Sequence, residues 1–527
     1  MPIVPGGQPV TVSVTSPSDT ALLAFHGSAG QRVSLQLSGV TMNLATVALL
    51  KPDGSALGSS VYVGTSGAFV DTRTLPVTGT YTLVVTPQGT ATGNMTLTLY
   101  DVPPDAGGPI TSRGAPVTAN TTVPGQNAQL TFQGSAGQRV SLKLSGVTMN
   151  LAIVALLKPD GTALGSTTYI GTAGGFVDTR TLPVSGTYTI MVDPQGTAAG
   201  GVTLTLYDVP PDAGGTIVPS GAAVTVNTIV PGQNAQLTFQ GTAGQRVSLN
   251  VSAVTMNLAT VALLKPDGTA LGATAYISTA GGFLDTRSLP VTGKYTLAID
   301  PQTTVTGGMT LTLYDVPPDA GGTIVPGGAP VTVNMAVPGQ NALLTFQGTA
   351  GERVSLKLSG VTTNLAIVAF LKPDGTTLGS SAYIGTAGGF FDTRALPVTG
   401  TYTITVDPQN AATGSMTLTL YDVPPDATAT VSPGGAAATV STTVPGQNAA
   451  VRFDATAGQS LTLQLTGVTI SASQVSITAP DGSTALAPAS VFAPGRTFTV
   501  TVAQNGTYTI VVDPQGANVG SVTVKLT

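Results

Sequence analysis

The chain has 527 residues, including 66 Gly and 38 Pro, yet 42% are hydrophobic, only 8% are charged, and the formal net charge is −5. It has no Cys, no Trp and one His, which excludes thiolate nucleophiles, disulfides and zinc–thiolate sites and leaves no base for repeated Ser-His-Asp triads. A disordered chain is poor in apolar residues and rich in charge, the reverse of this one, and a mildly acidic balance offers nucleic acid no basic stripe.

The first residues, Met1-Pro2-Ile3-Val4-Pro5-Gly6-Gly7, have neither the basic nor the apolar region of a signal peptide. No stretch approaches the roughly 18 apolar residues of a membrane span. Ile3-Val4-Pro5-Gly6-Gly7 returns as Ile324-Val325-Pro326-Gly327-Gly328, so Met1 is expected to mark a mature or excised fragment cut inside a linker.

That return belongs to a larger pattern. Tyr-Asp-Val-Pro-Pro-Asp starts at Tyr100, Tyr207, Tyr314 and Tyr421, a constant step of 107 residues. Lys-Pro-Asp-Gly keeps the same step from Lys51 to Lys158, Lys265 and Lys372. A tyrosine recurs at Tyr81, Tyr188, Tyr295, Tyr402 and, one residue early, Tyr508. The chain therefore holds five repeats, each the size of a small domain and far longer than a solenoid unit of about 20–50 residues.

Within the second repeat the period is two. Ala128-Gln129-Leu130-Thr131-Phe132-Gln133, Arg139-Val140-Ser141-Leu142-Lys143-Leu144, Tyr188-Thr189-Ile190-Met191-Val192 and Val202-Thr203-Leu204-Thr205-Leu206 read as half-buried strands with Thr on the wet face. The denser run Ala152-Ile153-Val154-Ala155-Leu156-Leu157 reads as a deeper strand, ended by the turn Lys158-Pro159-Asp160-Gly161. Seven or eight such strands, with Gly and Pro every 8–12 residues, predict an all-β fold. The expected architecture is five tandem jelly-roll-like antiparallel β-sandwich domains, beads on a string and not one continuous solenoid. The expected boundaries are 1–100, 101–207, 208–314, 315–421 and 422–527, the last a divergent terminal repeat.

Asn127-Ala128-Gln129-Leu130-Thr131-Phe132, Ala136-Gly137-Gln138-Arg139-Val140, Leu157-Lys158-Pro159-Asp160-Gly161 and Gly186-Thr187-Tyr188-Thr189-Ile190 follow an order that resembles the bacterial pre-peptidase C-terminal domain. The likeness is greater still to its relatives strung in tandem in large secreted bacterial surface proteins, some with RHS repeats. The resemblance implies a jelly-roll-like sandwich, a secreted or cell-surface setting and an accessory or structural role. Some of those relatives bind calcium or collagen, but their acidic ligand cluster is not evident here, and neither activity is carried over.

Between repeats, Asp208-Val209-Pro210-Pro211-Asp212-Ala213-Gly214-Gly215 predicts a semi-rigid polyproline spacer followed by a glycine pair that permits bending. Five such units in line would make a rod on the order of 150–200 Å long by radius-of-gyration scaling. The fifth repeat replaces the lysine turn by Ala479-Pro480-Asp481-Gly482, lacks Asp-Thr-Arg and stops at Thr527. It reads as a cap, with Thr527 the expected natural C-terminus.

No residue is assigned as catalytic, cofactor-binding or metal-binding. Lys51, Lys158, Lys265 and Lys372 head turns. The linker acids Asp101 and Asp105, with Asp208/Asp212, Asp315/Asp319 and Asp422/Asp426, are the best oxygen ligands for Ca²⁺, but two carboxylates are few for a cation that takes six to eight oxygens. Asp-Thr-Arg at Asp71, Asp178, Asp285 and Asp392 puts opposite charges two apart on one strand face, an exposed ion pair or a recognition element for a partner. Tyr81, Tyr188, Tyr295, Tyr402 and Tyr508 read as core residues in tyrosine corners. His26 occupies a wet strand position, and the sequons at Asn94 and Asn120 are not kept from repeat to repeat.

The function expected from all this is non-enzymatic: an extracellular stalk, or a subunit that self-associates into a filament or surface layer. The alternative is a multivalent adhesin whose repeats engage polysaccharide or host and matrix protein by avidity. No cofactor, nucleic acid or membrane insertion is expected.

Overall fold

The Thr-rich alternation becomes strand in every repeat. The computed structural model describes Met1–Thr527 as a succession of strands and turns, eight strands in the first repeat and nine in each of the others, with no helix. In the second repeat one sheet runs, side by side, Val117–Thr121, Gly200–Asp208, Arg139–Ser145 and Gly175–Thr181. The other runs Thr168–Ile170, Ala152–Leu157, Gly186–Pro194, Ala128–Gly134 and Ala106–Pro109. Every ladder is antiparallel except the last, where Ala106–Pro109 lies parallel to Ala128–Thr131.

The apolar members of the alternation point inward from both sheets and meet in a cluster of 21 buried residues. Burying a side chain such as Leu130, Ile190 or Leu204 contributes about 1.5–3 kcal/mol each. Each of the other repeats has its own cluster of 20 to 22 residues, and no ladder passes from one repeat to the next. Tyr188 is fully buried and stacks on Phe132 with ring centroids 5.5 Å apart. Its hydroxyl donates to the Val184 carbonyl at 2.7 Å, and the same contact recurs for Tyr81, Tyr295, Tyr402 and Tyr508.

The expected fold class, five jelly-roll-like β-sandwich beads strung on spacers, has to be corrected. The segments between repeats are not spacers. Val102 is buried and its N–H donates to the Arg32 carbonyl at 2.8 Å, extending the first repeat past Asp101. The glycine pair expected to bend, Gly214-Gly215, lies inside the strand Ala213–Thr216 of the third repeat, as its counterpart Gly107-Gly108 lies inside Ala106–Pro109 of the second. What remains between the first two repeats is Val102 to Asp105, and both of its ends are held. The array is continuous: each repeat is built onto the one before it and touches only its neighbours. In that respect it stands nearer to a solenoid than to beads.

Candidate functional site: the junction between repeats

Four copies of one polar junction join the five repeats, and it is the most elaborate constellation of side chains in the chain. On one side is a socket in the first repeat. Its strand Arg32–Ser38 should alternate, yet Val33, Ser34 and Leu35 are all buried. The sequence offers Ser34 no core to enter. It is covered from outside, by the next repeat.

The neighbouring strand Ala68–Thr74 carries a β-bulge: Val33 pairs with Arg73 and Leu35 with Val70, so Asp71 and Thr72 together oppose Ser34. A bulge bends its strand and re-aims the extra side chain. Here it brings the Thr72 hydroxyl beside that of Ser34.

The part that fills the socket is the turn Val123-Pro124-Gly125-Gln126 of the second repeat, closed by Gln126 N–H donating to the Val123 carbonyl at 3.0 Å. Pro at the second position and Gly at the third, with φ +86°, make this a type II turn. Ser34 Oγ donates to the Pro124 carbonyl and Thr72 Oγ1 to the Gly125 carbonyl, both at 2.6 Å. A Cβ at Gly125 would lie 2.6 Å from Thr72 Oγ1 and 2.9 Å from Ser34 Cβ, so only glycine fits.

The linker is clamped beside the turn. Arg32 Nη2 meets Asp105 Oδ1 at 2.6 Å, and Gln129 Nε2 donates to Asp105 Oδ2 at 2.6 Å. Buried Gln126 donates from Nε2 to the Pro104 carbonyl at 2.7 Å and accepts from Thr122 N–H at 2.8 Å. All of these bonds except that of Gln129 have equivalents at the other three junctions. The ion pairs are Arg139–Asp212, Arg246–Asp319 and Arg353–Asp426. The serine donors are Ser141, Ser248 and Ser355, and the threonine donors Thr179, Thr286 and Thr393.

One element of the junction is repulsive. Burial, and then the Asp71 carboxylate of the preceding repeat, hold Asp193 above the ordinary carboxylate range. Asp300, Asp407 and Asp513 are raised in the same way, against Asp178, Asp285 and Asp392. The side-chain oxygens of Asn127, Asn234, Asn341 and Asn448 are buried without a hydrogen-bond partner. Two carboxylates and one amide oxygen fall short of the six to eight oxygens of a calcium site, and nowhere do three acidic, His or Cys side chains gather as metal ligands would.

The residues singled out in the sequence fall as follows. Asp105 and its equivalents are ion-paired to arginine and so are not free ligands, while Asp101 accepts from Gln31 Nε2 at 2.8 Å. Asp71 and Arg73 do not pair with each other, because the bulge parts them. Asp71 accepts from Thr72 N–H, and Arg73 donates to the Leu57 and Ser59 carbonyls, tying down the loop before the short strand Val61–Val63. Of Asp-Thr-Arg, the middle residue hydrogen-bonds the neighbouring repeat, while the aspartate faces a like charge there.

Lys51 heads a turn in which Gly54 N–H donates to its carbonyl at 2.9 Å. In that turn the Ser55 hydroxyl and amide hold Asp53 below the usual carboxylate range. His26, Asn94 and Asn120 are exposed strand residues.

Sequence reading missed two features. The first is Val-Pro-Gly-Gln-Asn at residues 123–127, 230–234, 337–341 and 444–448, whose signal is that it recurs four times and is absent from the first repeat. The second is one tyrosine per repeat on the short edge strand: Tyr62, Tyr169, Tyr276 and Tyr383, between 67% and 76% exposed.

No known family matches the chain and no curated protein does, so the pre-peptidase C-terminal resemblance gains no support from either comparison. Among solved structures, the chain is 9% identical to the M60 catalytic domain with the CBM51-1 and CBM51-2 domains of Clostridium perfringens ZmpB. That match covers 97% of this chain and 55% of the other, with a TM-score of 0.14. It is 12% identical to Lac15 from a marine microbial metagenome, covering 60% and 88%, with a TM-score of 0.11. It is 15% identical to a tetra-tandem repeat in the extending region of a large adhesion protein, covering 76% and 98%, with a TM-score of 0.12. None names the pre-peptidase family, and likenesses of this size carry no argument about function.

Proposed function

We propose that the chain is a non-catalytic spacer, a stiff stalk that works outside the cell or at its surface by holding its two ends at a fixed separation. The observation that carries this reading is the fourfold recurrence of one junction in which an ion pair, two hydroxyl donors and a buried glutamine fix the next repeat. A passive linker has no use for buried, satisfied polar groups, since each is costly unless its partner is in place. A junction built from them has a single geometry.

Negative-stain imaging tests the reading. One rod shape on the order of 150–200 Å long is the expected result, and a chain that bends freely between repeats, or collapses, ends it.

The exposed tyrosines favour a second reading, a multivalent adhesin. One amphipathic aromatic per repeat in four successive repeats gives a ligand four equivalent contacts, and avidity multiplies weak ones. Binding on a glycan or matrix-protein array that Tyr169→Ala, Tyr276→Ala and Tyr383→Ala together abolish would establish it. An array without signal would remove it.

A further inference from the structure

The junction is head-to-tail: a turn on each repeat enters a socket on the repeat before it. Contacts of this kind, between unlike surfaces, extend indefinitely unless something stops them. The residues that make the contact are unevenly distributed along the chain.

The first repeat has a socket but no fitting turn. Where the others read Val-Pro-Gly-Gln-Asn it reads Ser16-Pro17-Ser18-Asp19-Thr20. The turn still closes, Asp19 N–H donating to the Ser16 carbonyl at 3.0 Å, but Ser18 does not adopt the positive φ that aims the Gly125 carbonyl at its donor. The clamping glutamine is replaced by Asp19. Thr20 and Thr86 stand where the later repeats carry Asn127 and Asp193.

The fifth repeat has the turn but no socket. Ser460 replaces the arginine and Thr462 the buried serine. Its strand Arg496–Thr501 pairs with Ser460–Leu465 residue for residue, with no bulge. The residue missing from that strand is the reason Tyr508 comes one place early. Without it no threonine is re-aimed, and no aspartate faces a following repeat.

We infer that the first and fifth repeats terminate the docking series, so that the chain does not polymerise end to end through this contact although every interior repeat carries both halves of it. The partner each socket accepts is another copy of the Val-Pro-Gly-Gln-Asn turn. Within these 527 residues all four such turns are occupied internally.

The test uses the full chain. Sedimentation equilibrium should give one species of 52.3 kDa at every concentration. Two loop exchanges then move the caps. S16V/S18G/D19Q/T20N gives the first repeat a docking turn, and V444S/G446S/Q447D/N448T with D426A releases the fifth repeat from the socket of the fourth.

Each exchange alone should leave the chain monomeric, and the two combined should produce concentration-dependent linear oligomers, with the far-UV spectrum confirming that the strands persist. End-to-end polymers of the natural chain overturn the inference, and so does a combined variant that stays monomeric. The stalk reading fails separately: a monomer that images as a limp string sinks it and leaves the termination intact.

Discussion

The fourth and fifth repeats have separate cores of similar size, 22 and 21 buried residues, and differ in two strands, of which one bears on the junction. In the fourth, Gly389–Ala395 carries the bulge that sets Thr393 against the Gly446 carbonyl of the fifth. In the fifth, Arg496–Thr501 is one residue shorter and regular. Ser355 beneath the bulge is fully buried, whereas its counterpart Thr462 is only half-buried. One added residue, together with Arg353 and Ser355 where the fifth repeat has Ser460 and Thr462, thus separates a repeat that receives a neighbour from one that does not. Folding and docking are carried by different residues of the same repeat.

The largest expected effect is one the two repeats share. Tyr402→Ala and Tyr508→Ala each remove a fully buried ring stacked on a phenylalanine, and each should destabilise its repeat by about 3–5 kcal/mol in calorimetry. If only one of them did so, the cores would not be equivalent.

The next prediction sharpens the contrast. Gly446 and Gly458 both have φ near +85°, and a left-handed alanine costs about 1–2 kcal/mol at either position. At Gly458 a new Cβ meets nothing within 4 Å, whereas at Gly446 it lies 2.5 Å from Thr393 Oγ1. Gly446→Ala should therefore cost more than Gly458→Ala, and it alone should kink the rod between the fourth and fifth repeats in images.

Arg353→Ala or Asp426→Ala should cost less. The pair is about a third exposed, and a double-mutant cycle should return no more than about 1 kcal/mol.

A smaller effect depends on pH. The folded chain holds Asp513 above the ordinary carboxylate range, by burial first and by Asp392 second. Below the ordinary range the carboxyl is protonated in both folded and unfolded chains and has no influence. As pH rises the unfolded chain ionises freely and the folded one does so against resistance, so stability is lost. Asp513→Asn should raise the melting temperature at neutral pH, and the gain should vanish in acid. Thr86 of the first repeat offers no such gain.

The smallest effect concerns metal. EDTA should leave the melting temperature unchanged, because Asp426 is ion-paired and no three ligating side chains converge.

The strands were legible because a period of two records burial by the repeat's own core, residue by residue. Leu130, Phe132, Ile190 and Val192 announce themselves in that way, and so do Tyr188 and its copies. The junction was not legible, because its residues are buried by a different repeat. Ser34 sits where the alternation expects a wet residue, and Thr72 lies between two charges that are the visible feature of its motif. The glycine pair between repeats looked like a hinge because glycine is permissive; a parallel strand uses the pair at 107–108 for close approach, with Gln129 O only 2.1 Å from where a Cβ at Gly107 would stand.

By itself the sequence determined the repeat length, the all-strand composition, the inward set of each strand and the absence of thiol and multi-histidine chemistry, since all of these follow from residue type and local period. Only the tertiary structure decided that the linkers are pinned, that Asp-Thr-Arg bonds the next repeat through its threonine and sets its aspartate against a like charge, and that the two end repeats lack opposite halves of one contact. Such contacts join residues some 50 to 90 positions apart on different repeats, and no local pattern encodes which surface will meet which.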